Sequence, residues 1–140
     1  MYVYGKKDVV FLAWGGAVKK ILARALYHRI HMKYGCFIYY TAIVAKGFYI
    51  EHPIGVVIGA AEIGENFKIY QNATVGAQWR GEYHEGKYPR IGNNVMLTSG
   101  SSILGNVHIA DDVVIGCNSV VVKDITESGI YAGSPVRRIK

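Results

Sequence analysis

Acidic side chains are scarce in this chain. Ten Asp and Glu stand against sixteen Lys and Arg in 140 residues, giving a formal charge of +6. An anionic partner is implied: nucleic acid, a membrane surface or a charged small molecule. Nucleic acid is the weakest of these, because no element interleaves a basic run with aromatics. An anionic cofactor explains the same charge at least as well. Cysteine is also sparse. Cys36 and Cys117 are the only two, too distant for a C-x-x-C site or a disulfide framework, and they read as free thiols of a reducing, cytoplasmic compartment. The apolar stretch Val9–Val18 is too short to cross a bilayer and contains Gly15 and Gly16, and no signal peptide is recognised. A hydrophobic fraction of 51% rules out a disordered chain, and the length fits one domain.

What is present is a period of six. Ile63, Ile69 and Val75 form one run, and Ile91, Leu97, Ile103, Ile109, Ile115 and Val121 form another. Upstream, Ile38, Val44, Ile50 and Val56 keep the same step, and a one-residue slip to Val57 joins them to the next run. Neither helix nor flat strand has this period. It is the hexapeptide signature of a parallel β-helix, in which each hexad forms one side of a triangular coil. Glycine follows the aliphatic residue in phase at Gly64, Gly76, Gly92 and Gly116. The expected organisation is an N-terminal helical segment over 1–35, the β-helix over 36–125 and a tail over 126–140, with slightly more than four coils.

Within 1–35, a helix is expected from about Asp8 to Lys33. Val9, Leu12, Val18, Leu22, Leu26 and Ile30 would form its apolar stripe, and Lys19, Lys20, Arg24, His28, Arg29 and Lys33 most of the remainder. Such a helix either covers the end of the solenoid or makes a peripheral contact with an anionic membrane. The period breaks once, between Val75 and Ile91. The excess residues, 77–90, are polar, aromatic and glycine-rich, so they must project as a loop of functional interest.

Every third hexad stacks on the same side. Hexads starting at Ile50, Ile69, Leu97 and Ile115 then put His52, Gln71, Ser99 and Cys117 in one outward column, roughly 4.8 Å per step. A histidine on a rigid wall above small polar residues suits general-base chemistry, since its unperturbed pKa is near 6.5.

Specific segments add to spacing. Gly47–Gly59 (GFYIEHPIGVVIG), Ala73–Ala77, Ile103–Val107 and Tyr131–Arg137 together resemble the hexapeptide-repeat acyltransferases, in particular their serine acetyltransferase-like branch. The likeness covers about Tyr34 to Ile139. It implies an all-β solenoid, a left-handed parallel β-helix with a short N-terminal helical segment. It also implies a homotrimer that binds acetyl-CoA between adjacent subunits and uses no metal. His52 would take the proton of an acceptor hydroxyl, which attacks the thioester directly while a backbone N–H holds the oxyanion. Gly76, Ala77, Ser99, Gly100, Ser101, Gly116, Cys117, Lys123 and Arg137 match positions near the cofactor. Gln71, Trp79, His84, Lys87 and Tyr88 are the acceptor-side candidates.

The chain departs from true serine acetyltransferases at several positions. Only about thirty residues precede the coils. An ungapped match puts Phe37 where the branch has an acidic residue that orients its histidine. Tyr88 replaces a second histidine, for which His84 is the candidate substitute. Glu51, not Asp, precedes His52 and points to the opposite face of the strand. Short chains with such departures resemble O-acetyltransferases that modify sugars of surface polysaccharides. Trp79, Tyr83 and Tyr88 suit a sugar, which stacks on aromatics. A sugar acceptor is therefore the expectation and serine the alternative, with Lys87 placed to bind a carboxylate. Two rivals remain: a γ-carbonic-anhydrase-like zinc enzyme, for which His52, His84 and His108 are too dispersed, and a non-catalytic scaffold.

Overall fold

The six-residue repeat closes into three parallel sheets around one narrow core. The computed structural model describes residues 17–40, 42–79 and 86–140. On the first side of the coil, Ile38, Ile58, Val75, Ile103 and Val121 stack in register. On the second side, Val44, Ile63, Ile91 and Ile109 stack, and a bridge to Ile125 extends the column. On the third, Ile50, Ile69, Leu97, Ile115 and Tyr131 stack. Five rungs lie on each side, more than the four-and-a-fraction coils expected. The first side forms a five-stranded sheet. The architecture is a left-handed parallel β-helix, as expected.

Side chains alternate across each strand, so the hexad aliphatic residue enters the core and its neighbours face outward. Burial of one such side chain contributes about 1.5–3 kcal/mol. Phe67, Val95 and Val113 fill the interior beside the corners. The corners require left-handed backbone, which Asn and Asp tolerate best among side-chain-bearing residues. Asn66, Asn72, Asn94, Asp112 and Asn118 supply it, with φ between 55° and 58°. One corner is also laced by side chains. The Asn66 amide donates to Asn94 Oδ1 at 3.0 Å, and the Asn94 amide donates to Asp112 Oδ1 at 2.9 Å.

The upstream register differs from the expected one-residue slip. The step from Ile50 to Ile58 takes eight residues, and the next, to Ile63, takes five. Two residues are thus inserted at one corner and one is lost at the following corner. Val56 is buried, but Ile58 takes the core position of its rung, and Val57 faces outward.

The expected tail is part of the sheet framework. Gly129–Ala132 adds a parallel rung to the third side, and Arg137–Arg138 then pairs antiparallel with it.

Helix α1 spans Ala17–Tyr34, and the expected residues before it lie outside the described ones. Gly35 closes it in left-handed conformation (φ 65°), its N–H donating to the His31 carbonyl at 2.9 Å. α1 covers the start of the solenoid through Tyr27, Ile30, His31 and Tyr34. Tyr27 packs on Phe37 and Tyr39, and the His31 ring lies 3.7 Å from that of Phe37. Of the expected stripe, Ile30 packs against the core, but the rest of its described side chains do not face the coils. Leu22 and Leu26 are exposed, and Val9 and Leu12 fall outside the described residues.

Candidate active site

The corner joining the third side to the first is built as a ladder. The N–H of Asn72 donates to the Ile54 carbonyl, that of Gly100 to Gln71, and that of Asn118 to Ser99, at 3.0, 3.0 and 2.9 Å. Gly55, Asn72, Gly100 and Asn118 share the left-handed turn position (φ 73°, 58°, 68° and 55°). A Cβ on Gly55 would collide with the Asn72 amide, and one on Gly100 with that of Asn118.

This ladder corrects the expected column. Ile54, not His52, stands in the rung above Gln71, Ser99 and Cys117. His52 and Pro53 form the two-residue insertion beside the column, and the His52 side chain is exposed. Counting back from Ile58, rather than forward from Ile50, would have found the insertion.

Glu51 does not turn toward His52. Its carboxylate bonds the Tyr49 hydroxyl on the outer third side, which holds the Tyr49 phenol above its ordinary pKa. Phe37 cannot replace an orienting carboxylate either, because its ring is packed on His31 and Tyr27. In the column, Gln71 presents an enclosed Oε1 that accepts no hydrogen bond among the described residues. An enclosed acceptor without a partner costs about 1–3 kcal/mol. Ser99, Gly100 and Gly116 are partly exposed and Cys117 is exposed. Ser101 departs from its expected role. It is fully buried and its hydroxyl donates to the Thr98 carbonyl, so it braces the corner from inside.

Most of the remaining described candidates lie across the first side, at its other edge. Gly76 is buried there in the rung after Gly59, and a Cβ on Gly59 would stand 3.5 Å from the Gly76 Cα. The pair gives a flat, side-chain-free floor. Ala77 follows, then the loop. Trp79 and Lys87 are exposed, while His84 and Tyr83 lie outside the described residues. Tyr88 is tied down: its hydroxyl donates to Glu62 Oε1 at 3.0 Å, and the Arg90 guanidinium, 3.6 Å from Glu62 Oε2, lies over its ring. Glu62 went unnoticed in the sequence because it is 26 residues from Tyr88 and becomes its neighbour only when the coils stack. Lys123 is exposed beyond the same edge, and Arg137 is exposed on the tail. One chain therefore divides the candidates. His52, Gln71, Ser99, Gly100, Gly116 and Cys117 gather at one corner. Gly76, Ala77, Trp79, Lys87, Tyr88 and Lys123 gather at the other. Among the described residues, no three His, Cys, Asp or Glu side chains are grouped to hold a metal.

Residues 88–123 match the family of bacterial transferase hexapeptide (six repeats). Serine acetyltransferase of Helicobacter pylori (strain ATCC 700392 / 26695) is 35% identical over 119 residues, covering 84% of this chain and 68% of the relative. The chain belongs to the serine acetyltransferase family of hexapeptide-repeat transferases. Its fold superposes on a serine acetyltransferase in complex with cysteine with a TM-score of 0.80, at 30% identity, covering 88% of this chain and 51% of the other. It superposes on serine acetyltransferase from Brucella abortus strain S19 in complex with coenzyme A with a TM-score of 0.78, at 27% identity, covering 87% and 48%. The chain thus spans about half the length of these solved relatives. The relatives' names favour the serine alternative over the sugar acceptor expected from the sequence.

Proposed function

We propose that this chain is an acetyl-CoA-dependent O-acetyltransferase in which His52 is the general base. The observation that carries the reading is the inserted corner: two residues added to a strict repeat present one exposed imidazole beside the Gln71–Ser99–Cys117 column. His52 takes the proton of the acceptor hydroxyl as its oxygen attacks the thioester carbonyl. A backbone N–H of the groove stabilises the oxyanion. Collapse expels the CoA thiolate, which takes the proton back from His52. Transfer is direct, so Cys117 acts as a wall and not as a nucleophile.

The flat Gly59–Gly76 floor fits a thin pantetheine arm, and Lys123 and Arg137 are exposed cations suited to CoA phosphates. The division of these groups between two corners supports a homotrimer with each site between subunits, one copy supplying the His52 corner and its neighbour the Gly76 edge.

L-Serine is the acceptor that the relatives favour, with Lys87 as a carboxylate binder. A sugar hydroxyl is the second reading. It is supported by Trp79, a residue 69% exposed at the start of the loop, and by the apolar Phe37 in place of a carboxylate. Acetyl-CoA consumption with L-serine, compared with nucleotide-linked and lipid-linked sugars, tests both. Serine-dependent thiol release supports the first, sugar-dependent release the second, and none with either contradicts the activity.

A further inference from the structure

A surface helix normally turns its polar side to water. α1 does not. Its contacts with the solenoid use Tyr27, Ile30, His31 and Tyr34, which share one side of the helix. The side turned away carries Ile21 and Met32, 68% and 71% exposed, flanked by Leu22 at 60% and Leu26 at 45%. Arg24, His28, Arg29 and Lys33 are exposed among and beside them. No acidic residue occurs anywhere in Ala17–Tyr34.

We infer that this face of α1 docks on an anionic lipid surface. Apolar side chains enter the interfacial layer while the neighbouring cations meet headgroup phosphates, the arrangement by which helices lie in a membrane plane. Charge selects this occupant over a second copy of the chain. A helix-to-helix contact between copies would set Arg24, Arg29 and Lys33 against their own equivalents, with no carboxylate on the helix to offset them. The mode is peripheral, since no helix among the described residues is long and apolar enough to cross a membrane. Because α1 sits at the first coil, docking there leaves the later rungs of the site corner projecting into solvent. The inference is independent of which acceptor the site uses.

The test is co-sedimentation of the full chain with phosphatidylcholine vesicles, with and without phosphatidylglycerol. Binding should require the anionic lipid and weaken with salt. Arg29→Glu with Lys33→Glu should reduce it by well over tenfold, taking about fivefold for each cation removed. Ile21→Ser with Met32→Ser should also reduce it, with acetyl transfer in solution unchanged in both variants. Absence of binding, or equal binding to neutral vesicles, overturns the inference. So does self-association that Ile21→Ser with Met32→Ser abolishes while wild type leaves vesicles unbound, which would assign the face to a second copy.

Discussion

The backbone N–H of Asn72 donates to the carbonyl oxygen of Ile54 at 3.0 Å. That bond fixes the register of the corner and leaves His52 and Pro53 in excess of the repeat, although the Pro53 carbonyl also accepts from the N–H of Val56 at 3.1 Å. Deleting both would return the Ile50-to-Ile58 step to the six residues that separate Ile69 from Val75. The deletion variant should fold, with a β-helical circular dichroism spectrum and a Tm within a few degrees of wild type, yet transfer no acetyl group. Failure to fold would show that the two residues belong to the framework.

Gln71 offers a test with two separable readings. Its enclosed Oε1 accepts nothing among the described residues, so Gln71→Met removes a desolvated oxygen while keeping the side chain's length. Denaturant unfolding should show no loss of stability, and a gain of up to about 1–2 kcal/mol. Steady-state kinetics should show a raised KM for acceptor or acetyl-CoA. A loss of stability would mean that the oxygen is already satisfied within the fold.

The left-handed corner predicts an order of substitutions at Gly100. Gly100→Ala places a Cβ against the Asn118 amide at φ 68° and should cost about 1–3 kcal/mol. Gly100→Asn should cost less, because Asn suits this backbone and the Asn66–Asn94 pair shows two amides stacked at another corner. Thermal melts rank the two variants, and an Ala variant as stable as the Asn variant would refute the ladder.

The two thiols should separate chemically. Cys36 is buried and burial pushes its pKa up, whereas Cys117 is exposed. Iodoacetamide at neutral pH should label Cys117 first, as read by mass spectrometry, and added CoA should slow that labelling if the cofactor passes the column. The raised Cys36 pKa contributes stability that is complete below the ordinary thiol value of 9.0 and is lost as pH rises through the higher folded value. Alkaline pH should therefore destabilise wild type more than Cys36→Ala.

The sequence revealed the solenoid because a six-residue period constrains every coil in the same way, and the stacking of Ile50, Ile69, Leu97 and Ile115 followed from counting alone. Counting failed where the count itself changed. The insertion at His52–Pro53 and the loss before Ile63 nearly cancel, so they look like one slip at Val57. Contacts between coils were also hidden, since Glu62 meets Tyr88 only through stacking. The helix stripe misled for a different reason. α1 is apolar on two sides, and periodicity cannot tell which side finds the aromatic surface of Phe37 and Tyr39.

The direct measurement is turnover of His52→Ala alongside CoA affinity. With His52 as general base, kcat should fall by at least about 10²–10⁴-fold while CoA binds as in wild type. Wild-type turnover in that variant would remove His52 from the chemistry and contradict the account.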